Sequence, residues 1–260
     1  FRIMGVLQRI GLAYGLSALM IIRFDFKQMI KILTSILLFY WILLWSGSGE
    51  SPYDLESNLV RTFDIFILGE NHLYRGFGIP FDPEGILSTI PSIGTIIIGY
   101  LLGGMLHTTK NYNDCIKRMF AFGTALIIVG YLWGFLFPIN KALWTSSYVL
   151  FTGGIGAIFL SLLTYLIDIK RFKKPFWVFE IFGTNSIFIF ILSGLWVKTI
   201  MNIKRELNGE MTSAYNYLYK TVFVPLAGDI NGSLLFAIAH VIGFWFILYW
   251  MYKKNIQIKL

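Results

Sequence analysis

The chain has 260 residues, 56% of them hydrophobic and only 14% charged, and its 22 Lys and Arg outweigh 14 Asp and Glu to give a formal charge of +8. With a mean hydropathy of +0.67 and its apolar residues gathered into unbroken runs, it cannot be a soluble globular domain, a disordered chain or a collagen-like repeat. The single cysteine, Cys115, excludes an intrachain disulfide and a cysteine-based metal site.

Seven apolar runs of 17 to 25 residues follow one another at 3–22, 29–45, 85–106, 119–137, 143–167, 176–197 and 233–252. Each is long enough to cross a hydrocarbon core of about 30 Å as a helix. Lipid offers no partner to a backbone amide or carbonyl, so a helix is the required form, and the alternating ten-residue segments of a membrane barrel are absent. The sequence therefore predicts an all-α polytopic membrane protein, one transmembrane domain over residues 1–260 with about seven spans. Residues 46–84 form a long acidic loop whose Phe63, Ile65, Phe66, Ile67 and Leu68 predict one short packed helix. Later, Tyr215, Tyr217 and Tyr219 lead into an apolar stretch ended by Gly228 and Asp229. Residues 215–228 are too short to span and are predicted to be interfacial or re-entrant. No internal repeat of the kind that marks inverted-repeat transporters is visible.

Alternate loops hold Arg23, Lys27, Lys31, Lys110, Lys117, Arg118, Lys170, Arg171, Lys173, Lys174, Lys253, Lys254 and Lys259, thirteen basic residues against Asp25, Asp114 and Asp168. The other side carries nine basic and ten acidic residues, seven of the acids between Glu50 and Glu84. Basic residues collect on the cytoplasmic side of short loops, so the first residue is expected outside and the carboxyl terminus in the cytoplasm. The positive charge is then an inside bias with attraction to anionic headgroups, and the lipid bilayer, not nucleic acid, is the expected partner.

Ionisable groups at membrane depth need a partner or a cavity. Arg9 has two readings, a cation snorkelling to the surface and a site residue. Asn185 and Ser186 read as bonds between helices, and His240 as a packed histidine, since it has no second ligand at helical spacing. On the outer side, Asp82-Pro83-Glu84-Gly85 runs into a helix with Asp82 placed as its cap. The pair Asp82 and Glu84, close in sequence to His72 and Arg75, can orient a polar substrate or an imidazole. Ser88, Thr89, Pro91 and Ser92 suggest a kink beside a cavity. Asn140 and Lys141 lie on a short turn facing the same side, with Trp144 as an interface anchor. The glycines of Gly103-Gly104 and Gly153-Gly154-x-Gly156 fall within helices and read as packing positions, and no Walker loop, dinucleotide fingerprint or metal-binding His pair occurs.

Taken in order, Arg2-Ile-x-Gly5-Val6-Leu7-Gln8-Arg9-Ile10, Leu68-Gly-x-Asn71-His72-Leu73-Tyr74, Asp82-Pro-Glu-Gly-Ile-Leu-Ser-Thr-Ile-Pro91-Ser92, Pro138-x-Asn140-Lys141-x-Leu143-Trp144 and Gly183-x-Asn185-Ser186 resemble the heparan-alpha-glucosaminide N-acetyltransferase family of polytopic acyltransferases. The resemblance implies transfer of an acetyl group from cytoplasmic acetyl-CoA to an amino sugar or glycan on the far side of the membrane. It also implies a bundle of about ten helices, a bacterial cytoplasmic membrane as location, no metal, and a second copy of the chain as a candidate partner. The family's catalytic histidine sits in a Lys-His-Ala-x-Trp-x-Gly segment that this sequence lacks. That histidine and about three helices are therefore expected upstream of Phe1, leaving this chain inactive by itself.

Deprotonating the sugar amine calls for a base near neutral pKa, and the thioester oxyanion calls for donors. Within this chain the candidates are His72, Asn140 and Lys141 for catalysis and Asp82, Glu84, Trp144, Arg9, Asn185 and Ser186 for the substrate. Lys117, Arg118 and Arg171 could meet the CoA phosphates, although ordinary inside charge explains them as well. The alternative is a small-solute or glycan transporter or flippase without acyl transfer, motivated by Arg9, Glu180, Asn185 and His240; a noncatalytic membrane scaffold is a third.

Overall fold

The computed structural model of the protein describes every residue except 48, 50, 110, 208, 259 and 260. Glu50, Lys110 and Lys259, which enter the charge pattern above, lie outside the described residues. The chain is a mostly helical polytopic membrane protein. Among the described residues, six helices are long and apolar enough to cross a bilayer, or seven if one bent pair counts as a span. It divides into two compact units, Phe1–Arg171 and Phe172–Leu260.

In the first unit, α1 (Val6–Arg23) and α2 (Phe26–Gly47) are joined by a tight turn. There Asp25 and Gln28 exchange side-chain hydrogen bonds with each other's backbone N–H, a reciprocal cap that stops one helix and starts the next. The apolar part of the long loop folds as α3 (Leu59–Leu68), capped by Asn58. Then come α4 (Ile86–Thr108), α5 (Tyr112–Trp133) and α6 (Ser146–Thr164), the last running on through a π turn to Ile169. The centre is α4, buried over 61% of its apolar stretch against 17–28% for the other long helices.

Close approach of α5 to α6 depends on glycine. A Cβ on Gly154 would lie 2.5 Å from the Gly123 carbonyl oxygen, and one on Gly123 would lie 2.8 Å from that of Gly154. Without a hydrophobic drive between helices in lipid, such contact and a few interhelical hydrogen bonds hold the bundle. Ser146 donates to the Leu37 carbonyl at 2.7 Å, and Tyr40 donates to the Leu143 carbonyl at 2.6 Å. Leu44 of α2 packs in one cluster with Leu87 of α4 and with Phe137 and Leu143 between α5 and α6, and Arg9 of α1 reaches the Pro83 carbonyl just before α4, so these parts share one end of the unit, called its mouth below.

In the second unit, α7 (Trp177–Thr184) and α8 (Ser186–Asn202) are bent by 70° where Asn185 leaves helical geometry, at φ −135° and ψ 40°. The buried Asn185 amide fills that break, donating to the Ile256 carbonyl at 3.0 Å and accepting from the Ile258 N–H at 2.9 Å. The all-α expectation needs correction, because Lys204–Leu207 (β1) pairs antiparallel with Glu210–Ser213 (β2). The intervening Asn208-Gly209 is the strongest short-range hairpin signal a sequence carries, and Gly209 takes φ 85°.

After the hairpin, α9 (Ala214–Leu218) passes through a π turn, Tyr219–Phe223, into α10 (Val224–Lys253). This stretch of 40 residues is not one straight span. Gly228 breaks it at φ 75° and ψ 178°, a conformation open essentially to glycine alone. Beyond the break the chain runs back along its own path. The Tyr215 and His240 rings lie 6.2 Å apart, Tyr219 and Phe236 6.0 Å, and a Cβ on Gly232 would be 2.7 Å from the Phe223 carbonyl oxygen. Pairs whose numbers approach each other symmetrically about Gly228 define an antiparallel helical hairpin.

Replacing Gly154 by Leu drives a side chain into backbone that cannot give way, whereas the Cβ of a Gly156→Leu variant meets nothing within 4 Å. Thermal unfolding in detergent is expected to show a loss of about 1–3 kcal/mol or more for the first and little change for the second. Equal melting temperatures would contradict the packing described.

Candidate functional site

At the mouth of the first unit, the segment before α4 turns sharply so that Asp82 is fully buried. Its carboxylate is gripped by Arg2, whose Nε donates to Oδ2 at 2.9 Å and whose Nη2 donates to Oδ1 at 2.6 Å while also reaching Glu84. These bonds to Asp82 hold the Arg2 guanidinium above its already high ordinary pKa, against the opposing effect of burial. Arg2 also lies over the Tyr74 ring, 4.8 Å from its centroid. Removing one partner of a buried pair costs about 3–5 kcal/mol, so this fork fixes the geometry around it.

Arg9, one turn into α1 and buried, does not snorkel to the surface. Its Nη1 donates to the Pro83 carbonyl at 3.0 Å, its Nη2 lies 4.0 Å from Glu84, and its guanidinium sits 3.9 Å from the centre of the Trp144 ring. Trp144 is held from the other side by its own Nε1, which donates to Thr95 Oγ1 at 3.2 Å. It adopts φ 52°, a left-handed conformation that bulky residues avoid and that surroundings must enforce. The enforcing element is the turn itself, where Asn140 Oδ1 accepts from the Ala142 and Leu143 N–H groups and Thr145 Oγ1 accepts from the Asn140 N–H.

These residues surround a cleft of about 540 Å³ lined by Arg2, Val6, Tyr74, Phe77, Pro83, Glu84, Lys141, Ala142 and Trp144. Three aromatic rings supply apolar surface, and the Arg2–Glu84 pair supplies fixed polar groups. The exposed Lys141 ammonium on the rim has no hydrogen-bond or ion-pair partner among the described residues. Such a space suits a small polar molecule with apolar faces.

Of the residues singled out by sequence, Glu84, Lys141 and Trp144 line the cleft, with Asp82, Arg9 and Asn140 directly behind it. His72 is not among the lining residues; its Nδ1 donates to the Phe1 carbonyl at 2.8 Å and ties down the chain start. Arg75 bonds Asn71 rather than the two acids. Asn185 and Ser186 belong to the second unit. Lys117, Arg118 and Arg171 are exposed at the end of the α5–α6 pair away from the mouth. Ser88, Thr89 and Ser92 are buried and bond carbonyls of their own segment, so they line no cavity at the mouth. Among the described residues no three His, Cys, Asp or Glu side chains converge as a metal site would require.

Three contributors were given no site role from the sequence: Arg2, Tyr74 and Asp64. Two acids one residue apart before a membrane helix call for a cation, and Arg2 stood in the right place for that inference. Asp64 is less legible. Fully buried on α3, it caps α4 from 22 positions away, its Oδ1 accepting from the Ile86 and Leu87 N–H groups, the role the sequence assigned to Asp82. Its Oδ2 has no hydrogen-bond partner among the described residues. Burial pushes this carboxyl up to about 7, with the nearby Asp82 adding to the shift and the two backbone hydrogen bonds opposing it.

No protein-family model matches the chain. Among curated proteins it is similar to heparan-alpha-glucosaminide N-acetyltransferase of Mus musculus, 33% identical over 147 residues that cover 49% of this chain and 22% of the relative. The same enzyme of Homo sapiens is 31% identical over 146 residues, covering 49% and 21%. This is distant homology over about half of the chain, and the match spans about a fifth of the length of these relatives.

Asp64 makes a pH signature. Its folded value of about 7 exceeds the unfolded value of 3.8, so between the two the folded protein binds the extra proton. Its contribution to stability is fully present below about pH 4 and is lost as pH rises through about 7. The melting temperature is expected to fall between about pH 4 and about pH 7, with a clearly shallower fall in Asp64→Asn. Identical slopes would remove Asp64 from this role.

Proposed function

We propose that this chain, distantly homologous to an N-acetyltransferase, is part of a membrane acyltransferase. In this reading it moves an acetyl group from cytoplasmic acetyl-CoA to an amino sugar or glycan on the extracytoplasmic side. The observation that carries the reading is the mouth cleft, where a strained tryptophan, two further aromatic rings, a fixed guanidinium–carboxylate pair and an ammonium without a partner among the described residues face one sugar-sized space. The C–H faces of a pyranose pack on aromatic rings, and its hydroxyls take the charge-assisted hydrogen bonds that Arg2 and Glu84 offer. The mouth is assigned to the extracytoplasmic side by the inside bias of basic residues, which leaves Lys117, Arg118 and Arg171 at the cytoplasmic end of the α5–α6 pair, toward the CoA phosphates.

Within this arrangement Glu84 and Arg2 orient the acceptor and Lys141 donates to an oxygen that gains charge as the acetyl group is transferred. Asn140 acts through the turn, holding Lys141 and Trp144 in place. The base that accepts the amine proton is assigned, by family resemblance alone, to a histidine outside this chain. The reaction converts a thioester and an amine to an amide and the CoA thiol, so neither metal nor redox partner is required.

The test is transfer from labelled acetyl-CoA to glucosamine by the native protein in proteoliposomes. Trp144→Ala is expected to raise the acceptor KM about tenfold, the weight of one ring contact, and Lys141→Ala to lower kcat by about 10²-fold, the weight of one oxyanion donor. Unchanged kinetics in both variants would place the acceptor elsewhere. Solute flux without acyl donor, and no CoA binding, would favour the transporter reading.

A further inference from the structure

The second unit contains a separate groove of about 360 Å³ that plays no part in the cleft just described. One wall is a single stripe of α10, formed by Phe236, Ala239, His240, Gly243, Phe244 and Ile247. Those positions recur at three- and four-residue steps over twelve residues, so the groove runs ~16 Å along the helix axis. Trp196 of α8 lines it as well, while Leu218 and Phe223 from the folded-back arm of the helical hairpin line its Phe236 end. Its depth comes from small residues, since a Cβ on Gly243 would meet nothing within 4 Å.

The lining is almost wholly apolar, with His240 as its one strongly polar member. The ring is half-buried, and its Nδ1 lies 2.8 Å from the Phe236 carbonyl oxygen, which can only accept, so Nδ1 carries the proton. In the neutral ring Nε2 is then a bare acceptor, and it has no hydrogen-bond partner among the described residues. An unpaired acceptor at membrane depth is costly unless something donates to it.

We propose that this groove binds the hydrocarbon chain of a membrane lipid carrying one hydroxyl donor, the chain lying along α10 and the hydroxyl meeting His240 Nε2. Three observations select this occupant. The groove is elongated along a helix that is itself long and apolar enough to cross the bilayer, as a lipid chain is. Its apolar walls would leave the several polar groups of a sugar or nucleotide unpaired. A single acceptor sits within it, matching a single donor. Acyl transfer is not a premise of this proposal.

The chain, reconstituted in phosphatidylcholine vesicles containing a diazirine-bearing long-chain alcohol, is irradiated and its labelled peptides are mapped. Label is expected to concentrate on Trp196 and on positions 239–247, and to fall with excess unlabelled long-chain alcohol. Gly243→Phe, which fills the groove, should cut it at least fivefold, and Ala239→Leu should do so by an independent route. His240→Phe should lower labelling by the alcohol about fivefold, the weight of one hydrogen bond, while leaving labelling by a diazirine alkane unchanged. Label spread evenly over the lipid-facing helices, or unaffected by competitor or by groove filling, would overturn the site. Equal loss of both probes in His240→Phe would overturn the hydroxyl contact.

Discussion

A carboxylate with no exposed surface, at the end of a membrane bundle, is costly unless hydrogen-bond donors or a cation close over it. Asp82 is in that position, and Arg2 grips it through two nitrogens. The consequences spread outward from this pair. Because Arg2 also reaches Glu84, both acids of the Asp-Pro-Glu turn are fixed relative to the start of α1. Because the Pro83 carbonyl is thereby held in place, Arg9 finds its acceptor and can lie against Trp144. The left-handed backbone at Trp144 belongs to the same network, supported by the Asn140 turn on one side and Thr95 on the other. The cleft is thus walled by groups whose positions are set before any ligand arrives, the condition under which hydrogen-bond donors act most strongly on developing charge.

The helical, polytopic character was legible because hydrocarbon imposes one strong rule, that long apolar runs be helices, and runs of 17 to 25 residues leave little freedom. Parts of the candidate cleft were legible too. Glu84, Lys141 and Trp144 stood out as polar or amphipathic residues at span boundaries, and they do share one cleft. What escaped were relations between distant positions. Asp64 capping α4 from α3 leaves no local mark, since a cap read from sequence is sought next to its helix, and Asp82 was the neighbouring candidate. Asn140 illustrates another limit. Its type suggested a donor to substrate; its side-chain oxygen closes its own turn, as asparagine commonly does, a role the motif alone does not display.

Two backbone events in the second unit were written in the sequence in plainer form. Asn208-Gly209 announces a hairpin, but among charged and apolar residues near a span its signal is easily overridden by hydropathy. Gly228 followed by Asp229 marked an end to apolar sequence. The ring pairs Tyr215–His240 and Tyr219–Phe236 and the close approach of Gly232 to Phe223 show that the chain there doubles back on itself. That doubling brings the folded-back arm against α10 and completes a groove around His240, which read by itself is only a packed histidine.

The proposed acceptor site at the mouth of the first unit is the central claim, and a direct image of it is the sharpest check. Cryo-electron microscopy of the native protein in lipid nanodiscs with a glucosamine-ended disaccharide should show sugar density in the cleft, one pyranose face against Tyr74, Phe77 or Trp144 and a hydroxyl at Arg2 or Glu84. Sugar density at another place in the molecule, with the cleft unchanged and empty, would contradict the account.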